Sequence, residues 1–147
     1  MKQVIGLAMA LLILNGCAKD QQGAVKKIGK SMEGRWELRQ TSAAMVPGTQ
    51  EYPPGNGHEL KFRDGQYERY NQGTLLQSGT YEIVADGSVE ENVCLEIPEG
   101  RYAQRIVYDG NITGEKMFLH LDGDRLFFIA GCYALDGGHQ MTYQRKK

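Results

Sequence analysis

The amino-acid sequence predicts an all-β domain, an antiparallel meander of eight or nine short strands that closes into a barrel. From residue 34 onward, apolar and polar residues alternate in short runs, as they do in strands with one buried face. Asp-Gly and similar turns separate the runs, and Asp-Gly suits hairpins because it adopts positive φ cheaply. Closing the meander removes its two edge strands. The predicted strands are residues 35–40, 59–63, 66–71, 76–84, 93–97, 102–109, 115–121, 124–130 and 140–145.

Length and charge limit the class of protein. The chain has 147 residues, which suits one domain with a core of its own. Its formal net charge is −1 and it contains no basic run, so no nucleic-acid partner is expected. These properties exclude a multidomain enzyme, a polytopic membrane protein and a disordered tail.

The first sixteen residues have the pattern of a secretion signal. Lys2 precedes an unbroken apolar run from Val4 to Leu14, about half the length that crosses a bilayer as a helix. The sequence Leu-Asn-Gly-Cys at the end of this run resembles a bacterial lipobox. The resemblance implies cleavage after Gly16 and acyl chains on Cys17, which would anchor the protein in a membrane. An ordinary signal peptide followed by a chance cysteine is the alternative.

The residues after the cysteine complete the predicted organisation. Ala18, rather than aspartate, follows the cysteine, which in enteric-type lipoproteins implies the outer membrane; its periplasmic or surface face stays open. Residues 17–33 are polar and predict a tether that ends in one short helical turn around Val25–Met32. The chain therefore divides into a signal peptide at 1–16, a lipidated tether and a barrel domain at 34–147.

Hairpin turns predict which side chains share a face. If residues 64–65 form a two-residue turn, one face of the hairpin is mostly apolar and belongs to the barrel interior. Arg69 is the charged residue on that face, and a buried guanidinium needs a carboxylate of the protein or an acidic group on a ligand. A register slip, or an arginine that reaches to the rim, is the alternative. The predicted interior residues of this hairpin are Leu60, Phe62, Tyr67 and Arg69, with Lys61 and Glu68 paired outside.

A second hairpin and simple alternation predict the rest of the interior. Both faces of the hairpin that turns at residues 122–123 are rich in apolar side chains. Its outer face holds Phe118, Phe127 and Ile129. The predicted interior residues are Met117, Leu119, Leu121, Leu126 and Phe128, together with Tyr81, Ile83, Leu95, Ile97, Ile106, Tyr108, Met141 and Tyr143.

Two motifs at the ends of the predicted barrel resemble those of a known family. Gly34-Arg35-Trp36 resembles the lipocalin Gly-x-Trp motif, and the chain is similar to small lipocalin-like lipoproteins of Gram-negative, gut-type bacteria, which often close with Tyr-x-Arg. The resemblance implies a lipocalin-like up-and-down barrel in which Trp36 plugs the closed end and Arg145 packs across it. It also implies that the long, proline-containing segment 41–58 lies over the open mouth as a lid. Members of that group mostly lack an assigned function, so the resemblance implies binding and no reaction.

The sequence contains no recognised catalytic motif, and neither an enzyme nor a cofactor is expected. His58, His120 and His139 lie in separate elements, and the aspartates near His120 are better explained as turn formers than as metal ligands. In an oxidising compartment, Cys94 and Cys132 suggest a disulfide. Alternation opposes it by placing them on opposite faces, so two isolated thiols are the alternative.

The leading hypothesis is therefore a lipid-anchored binding module. It would hold a small, largely apolar ligand in the barrel interior under the 41–58 segment. The alternative is a filled barrel that meets an envelope protein through its outer apolar face or its loops. The residues predicted to contact the ligand are Phe62, Tyr67, Arg69, Tyr81, Tyr108, Leu119, Phe128 and Tyr143.

Overall fold

The computed structural model describes residues 16–147 and confirms the predicted all-β barrel. Residues 1–15, which hold all but the last residue of the predicted signal peptide at 1–16, and the side chains of residues 16–19, including Cys17, lie outside the described part of the chain. Two α-helices are present there, α1 (Gly16–Met32) and α2 (Val89–Val93), with one 3₁₀ turn at Tyr133–Leu135. The strands are β1 (Gly34–Ala43), β2 (Val46–Glu51), β3 (Glu59–Arg63), β4 (Gln66–Asn71), β5 (Thr74–Ala85), β6 (Gln104–Tyr108), β7 (Met117–Asp122), β8 (Arg125–Ala130) and β9 (His139–Arg145).

Eight of these strands close on themselves. The order around the sheet is β2-β1-β3-β4-β5-β6-β7-β8-β9, and the additional pairing of β1 with β9 closes the barrel. β2 pairs only with the second half of β1, beyond the point where β3 pairs with its first half. The barrel is therefore β1 with β3–β9, and β2 is one extra strand at the edge.

The two hairpin registers predicted from the turns are confirmed. Leu60 lies opposite Arg69 and Phe62 opposite Tyr67, while the outward Lys61 and Glu68 form an ion pair of 2.9 Å. Leu119 lies opposite Phe128 in the second hairpin. The barrel core is built from the faces that these registers turn inward. Its buried members are Met32, Trp36, Leu38, Leu60, Phe62, Tyr67, Ile83, Ile106, Leu119, Leu126, Phe128 and Tyr143.

The predicted strand at 93–97 is wrong. Residues 89–93 form α2 instead, because Ser88 accepts a hydrogen bond from the Asn92 backbone and Cys94 ends the turn with a left-handed conformation. Leu95 is exposed, and Ile97 packs outside the barrel rather than within it. The connection from β5 to β6 thus crosses the outer surface and buries a second apolar cluster there. That cluster consists of Val89, Val93, Tyr102, Phe118 and Ile129, with Ile97, Phe127 and Tyr133 packed against it.

The segment 41–58 is not the long irregular loop that its composition suggests. β1 continues to Ala43 and turns back into β2, so most of the segment is a hairpin. Pro47 is compatible with β2 because β2 is an edge strand and needs no ladder donor on its free side. The remaining residues, 52–58, form an ordered loop tied to β1 by the Asn56 amide, which donates to the Leu38 carbonyl at 2.9 Å.

α1 is longer than the single helical turn that the sequence predicts around Val25–Met32. The spacing of Val25, Ile28 and Met32 places all three on one face of the helix, and that face packs on the barrel core near Trp36. The helix also contacts β5. α1 therefore covers the end of the barrel at which β1 begins. Within residues 16–147, no helix combines the length and the apolarity needed to cross a membrane.

Candidate functional site

One end of the barrel is sealed around Trp36. The indole is fully buried and donates a hydrogen bond of 2.7 Å to the Met32 carbonyl of α1. The Arg145 guanidinium lies 4.1 Å from the centre of the indole ring and donates to the carbonyls of Ser31 and Glu33 at 2.6 and 2.8 Å. These contacts satisfy carbonyls in and just beyond the last turn of α1 and close this end to solvent.

The half of the barrel next to Trp36 is filled by side chains. Phe62 and Tyr81 pack edge to face with ring centres 4.8 Å apart, and Leu119 is fully buried. Phe62, Tyr81 and Leu119 were predicted to contact a ligand. In the structure they pack against other core residues, and they line neither of the two cavities at the open end.

A small cavity lies in the opposite half of the barrel. Its volume is about 60 Å³, and it adjoins a mouth of about 300 Å³ that opens between β1 and the β4–β5 hairpin. Arg69, Met141 and Tyr143 line both spaces. A larger concavity of about 690 Å³ is open to solvent on the outer surface of β3–β5, where charged side chains (Lys61, Arg63, Asp64 and Glu68) make up much of its lining. The cavity is lined by Leu60, Tyr67, Arg69, Gln77, Tyr108, Met117, Phe128, Met141 and Tyr143.

Arg69 stands at the junction of cavity and mouth. Its position opposite Leu60 puts it on the inward face, yet its side chain is exposed rather than buried, because β4 ends two residues later at the open end. None of the ion pairs within residues 16–147 involves this guanidinium. The prediction that Arg69 faces inward is confirmed, and of the two alternatives it is the arginine that reaches to the rim that the structure shows.

Three tyrosines face the Arg69 charge. Burial raises the pKa of Tyr143 to about 12 and raises that of Tyr108 further, while the positive charge of Arg69 acts in the lowering direction on both. Burial, together with a hydrogen bond of 2.9 Å to Asp109, raises the pKa of Tyr67 to about 12. All three hydroxyls are therefore protonated at neutral pH and can donate hydrogen bonds.

The hydroxyls of Tyr108 and Tyr143 lack strong hydrogen-bond partners within the described residues. The Tyr143 hydroxyl donates to the Met141 sulfur at 3.7 Å, which is a weak acceptor. Among the hydrogen bonds that tyrosine hydroxyls make within the described residues, none involves the Tyr108 hydroxyl. Tyr108 and Tyr143 thus combine with Arg69 into a set of donors that converges on the cavity.

Asp109 positions the cavity wall, a role that the sequence did not indicate. Its carboxylate accepts hydrogen bonds from the Tyr67 hydroxyl and the Thr80 backbone, both at 2.9 Å. A side chain at Gly79 would collide with this carboxylate, so the strand needs glycine there. The Asp109-Gly110 pair is a turn signal, and no feature of it distinguishes an aspartate that also reaches across to β5.

Cys94 and Cys132 form a disulfide, with Cα atoms 5.0 Å apart. The alternation argument against it fails because neither cysteine belongs to a strand. Cys94 follows α2, and Cys132 follows Gly131, which has a φ of 70° just beyond β8. The bridge holds the β5–β6 connection against the open end of β8.

The outer apolar face considered for a partner is covered by the chain itself. Phe118 is fully buried and Ile129 nearly so, beneath the β5–β6 connection. His120 lies on the same outer side against Tyr102 and Phe127, and burial lowers its pKa. Within the part of the chain that the structure describes, no three metal-ligating side chains gather at one point.

The fold and this cavity define a class of protein: a small β-barrel with one end sealed by a helix and, at the other end, a mouth lined in part by polar side chains. Comparisons of the chain with protein-family models, with curated proteins and with solved structures found no match. The site must therefore be interpreted from its own geometry.

Proposed function

We propose that the protein binds a small molecule with a short apolar body and an acidic group at the mouth of the barrel. The observation that carries the proposal is the Arg69 guanidinium. It stands on the inward face above an apolar cavity, outside every ion pair of residues 16–147. A guanidinium matches a carboxylate in geometry and charge, and the hydrogen bonds between them are about twice as strong as neutral ones.

The volumes limit the size of the ligand. Pockets for drug-sized molecules measure about 300–1,000 Å³. The mouth reaches the lower end of that range at about 300 Å³, whereas the inner cavity of about 60 Å³ has room only for a few atoms. We expect the apolar end of the ligand to enter between Met117 and Phe128 while its acidic group remains beside Arg69.

The proposal assigns no reaction to the site. The tyrosines that line the cavity hold their protons at neutral pH and supply hydrogen bonds, and Arg69 supplies charge. Binding and orientation are sufficient for a carrier or sensor of a small acid.

Titration calorimetry with octanoate and benzoate tests this proposal, with octanamide and benzamide as uncharged counterparts. The carboxylates are expected to bind at least about tenfold more tightly than the amides, because a charged hydrogen bond contributes about 1.5–3 kcal/mol. Arg69→Gln should remove the preference. Arg125→Gln is the matched control, because Arg125 is exposed at the start of β8 and faces away from the cavity. Equal binding of carboxylate and amide, or binding that survives Arg69→Gln unchanged, would contradict the proposal.

We further propose that the protein is a lipoprotein of the outer envelope, anchored through Cys17. The leader and the Leu-Asn-Gly-Cys sequence support this. Mass spectrometry of protein from its host should find a peptide that begins at Cys17 and carries acyl chains, and Cys17→Ser should move the protein from the membrane to the soluble fraction. An unmodified peptide that begins elsewhere would contradict the anchor.

A further inference from the structure

The exposed large apolar side chains gather at one end of the molecule. Strand direction alternates around the barrel, so the β1–β3, β4–β5, β6–β7 and β8–β9 connections all lie at the end opposite Trp36. Six exposed side chains belong to these connections or to the strand residues beside them. A seventh adjoins Cys94, which the disulfide holds to Cys132 at the same end. Within the described residues the seven are Met45, Val46, Leu75, Leu76, Leu95, Ile112 and Leu135, which we call the apolar rim.

Uncharged stretches surround most of these side chains, although Glu51, Asp109, Glu115 and Asp136 lie elsewhere in the same connections. The segments 43–50, 71–79 and 110–114 contain 22 residues and no Asp, Glu, Lys or Arg. At the average of the whole chain, which is 24% charged, about five charged residues would be expected in them. The segments consist instead of apolar side chains among glycine, threonine, serine, asparagine and glutamine. These three stretches have no charge of their own to desolvate, and Arg69 stands inside the mouth, apart from them.

We propose that the apolar rim docks onto the surface of a lipid bilayer, with the mouth of the barrel facing the lipid. The shape of the rim favours lipid over a protein partner. Its side chains stand on separate connections around a hollow mouth, whereas protein interfaces concentrate their energy in a packed central cluster. A fluid lipid surface can surround each apolar side chain of the rim separately. The neutral polar residues between these side chains are suited to the headgroup region of the bilayer.

Tryptophan probes at the two ends test this orientation. In the full chain, Ile112→Trp places a probe on the rim and Arg63→Trp places one at the sealed end. Both sites are exposed, with Ile112 66% exposed and the Arg63 side chain 81% exposed. The native Trp36 is buried and gives the same background in both variants. Each variant is mixed with vesicles of phosphatidylcholine that carries brominated acyl chains, which quench tryptophan only on contact.

The rim probe should lose about half of its added fluorescence or more, while the probe at the sealed end should be unaffected. A lipid anchor at Cys17, acting alone, would bring α1 and the sealed end of the barrel to the membrane. Quenching of the Arg63→Trp probe only would therefore overturn the proposal, and so would quenching of neither probe.

Charge on the rim provides a second test in the Ile112→Trp chain. Leu75→Glu with Leu76→Glu should abolish most of the quenching, because two carboxylates would have to leave water. Gln66→Glu at the sealed end is the matched control, because Gln66 is exposed and far from the rim. Quenching that persists with the rim glutamates contradicts lipid docking. If quenching is absent and sedimentation finds a dimer that these glutamates disrupt, the rim binds a second copy instead and the proposal is wrong.

Discussion

An arginine stands near each end of the barrel, and the two have opposite surroundings. Arg145 packs on Trp36, donates to the carbonyls of Ser31 and Glu33 and pairs with Asp124, so its charge and its donors have partners within the protein. Arg69 stands beside a cavity and outside the ion pairs of the described residues. The first arrangement stabilises the fold. The second leaves charge and hydrogen-bond donors available to another molecule.

The same contrast extends to the apolar side chains. At the sealed end, Met32, Trp36 and Phe62 are buried almost completely. At the open end, Leu75, Leu76 and Ile112 keep half or more of their surface exposed. We infer that the sealed end provides stability and the open end provides recognition, and substitutions can test that division.

The largest expected effect is at the sealed end. Trp36→Ala should reduce the free energy of unfolding by about 3–5 kcal/mol, as large-to-small changes of buried aromatic residues do. Leu76→Ala, at an exposed site of the rim, should change it by no more than about 0.5 kcal/mol. Guanidinium titrations followed by circular dichroism measure both values. Similar effects at the two sites would contradict the division between the ends.

Removal of the disulfide should have the second-largest effect on the free energy of unfolding. Replacing both Cys94 and Cys132 by serine should cost about 2–4 kcal/mol, because the bridge restricts the unfolded chain over a separation of 38 residues. Cys17→Ser is the control and should leave stability unchanged. A loss of this size would mean that a covalent link stabilises the open end, whereas packing stabilises the sealed end. A loss below about 0.5 kcal/mol would show that the packing of α2 suffices by itself.

A smaller, pH-dependent effect is expected at the start of the β5–β6 connection. Burial by itself would raise the pKa of Asp86, but hydrogen bonds from Ser88 and the Lys116 ammonium outweigh it and lower the pKa from 3.8 to about 2. The stabilisation is therefore complete above about pH 4 and is lost as the pH falls through 2. Asp86→Asn should cost about 1–2 kcal/mol at pH 7 and almost nothing at pH 2. Unfolding titrations across this range measure the difference, and a constant difference would contradict the assignment.

The hairpin registers could be predicted because a two-residue turn specifies every pair that follows it. That argument placed Leu60, Phe62, Tyr67 and Arg69 on one face, and the structure agrees. It does not say how far along the barrel axis a residue lies. Tyr67 and Phe62 were therefore predicted together as ligand contacts, although only Tyr67 lines the cavity.

The errors occur where backbone hydrogen bonding or the end of a strand overrides a local pattern. Residues 93–97 alternate like a strand, but the hydrogen bonds of Ser88 start a helical turn just before them. Pro47 and Gly48 suggest a loop, yet an edge strand tolerates both because one of its sides needs no partner. The disulfide could not be decided from alternation, since alternation has no meaning beyond the end of a strand.

The pairing of β1 with β9 has a consequence for how the chain folds. Arg145 and its hydrogen-bond partner Ser31 are 114 residues apart in the sequence. Contacts of such long range form slowly, because a large loop must close before any of them contributes. Until β9 has been synthesised, β1 and β8 each present an unpaired edge, and the sealing of Trp36 by Arg145 has to wait. We therefore expect barrel closure to be a late step, and any chain interrupted before His139 to be prone to aggregation through those edges.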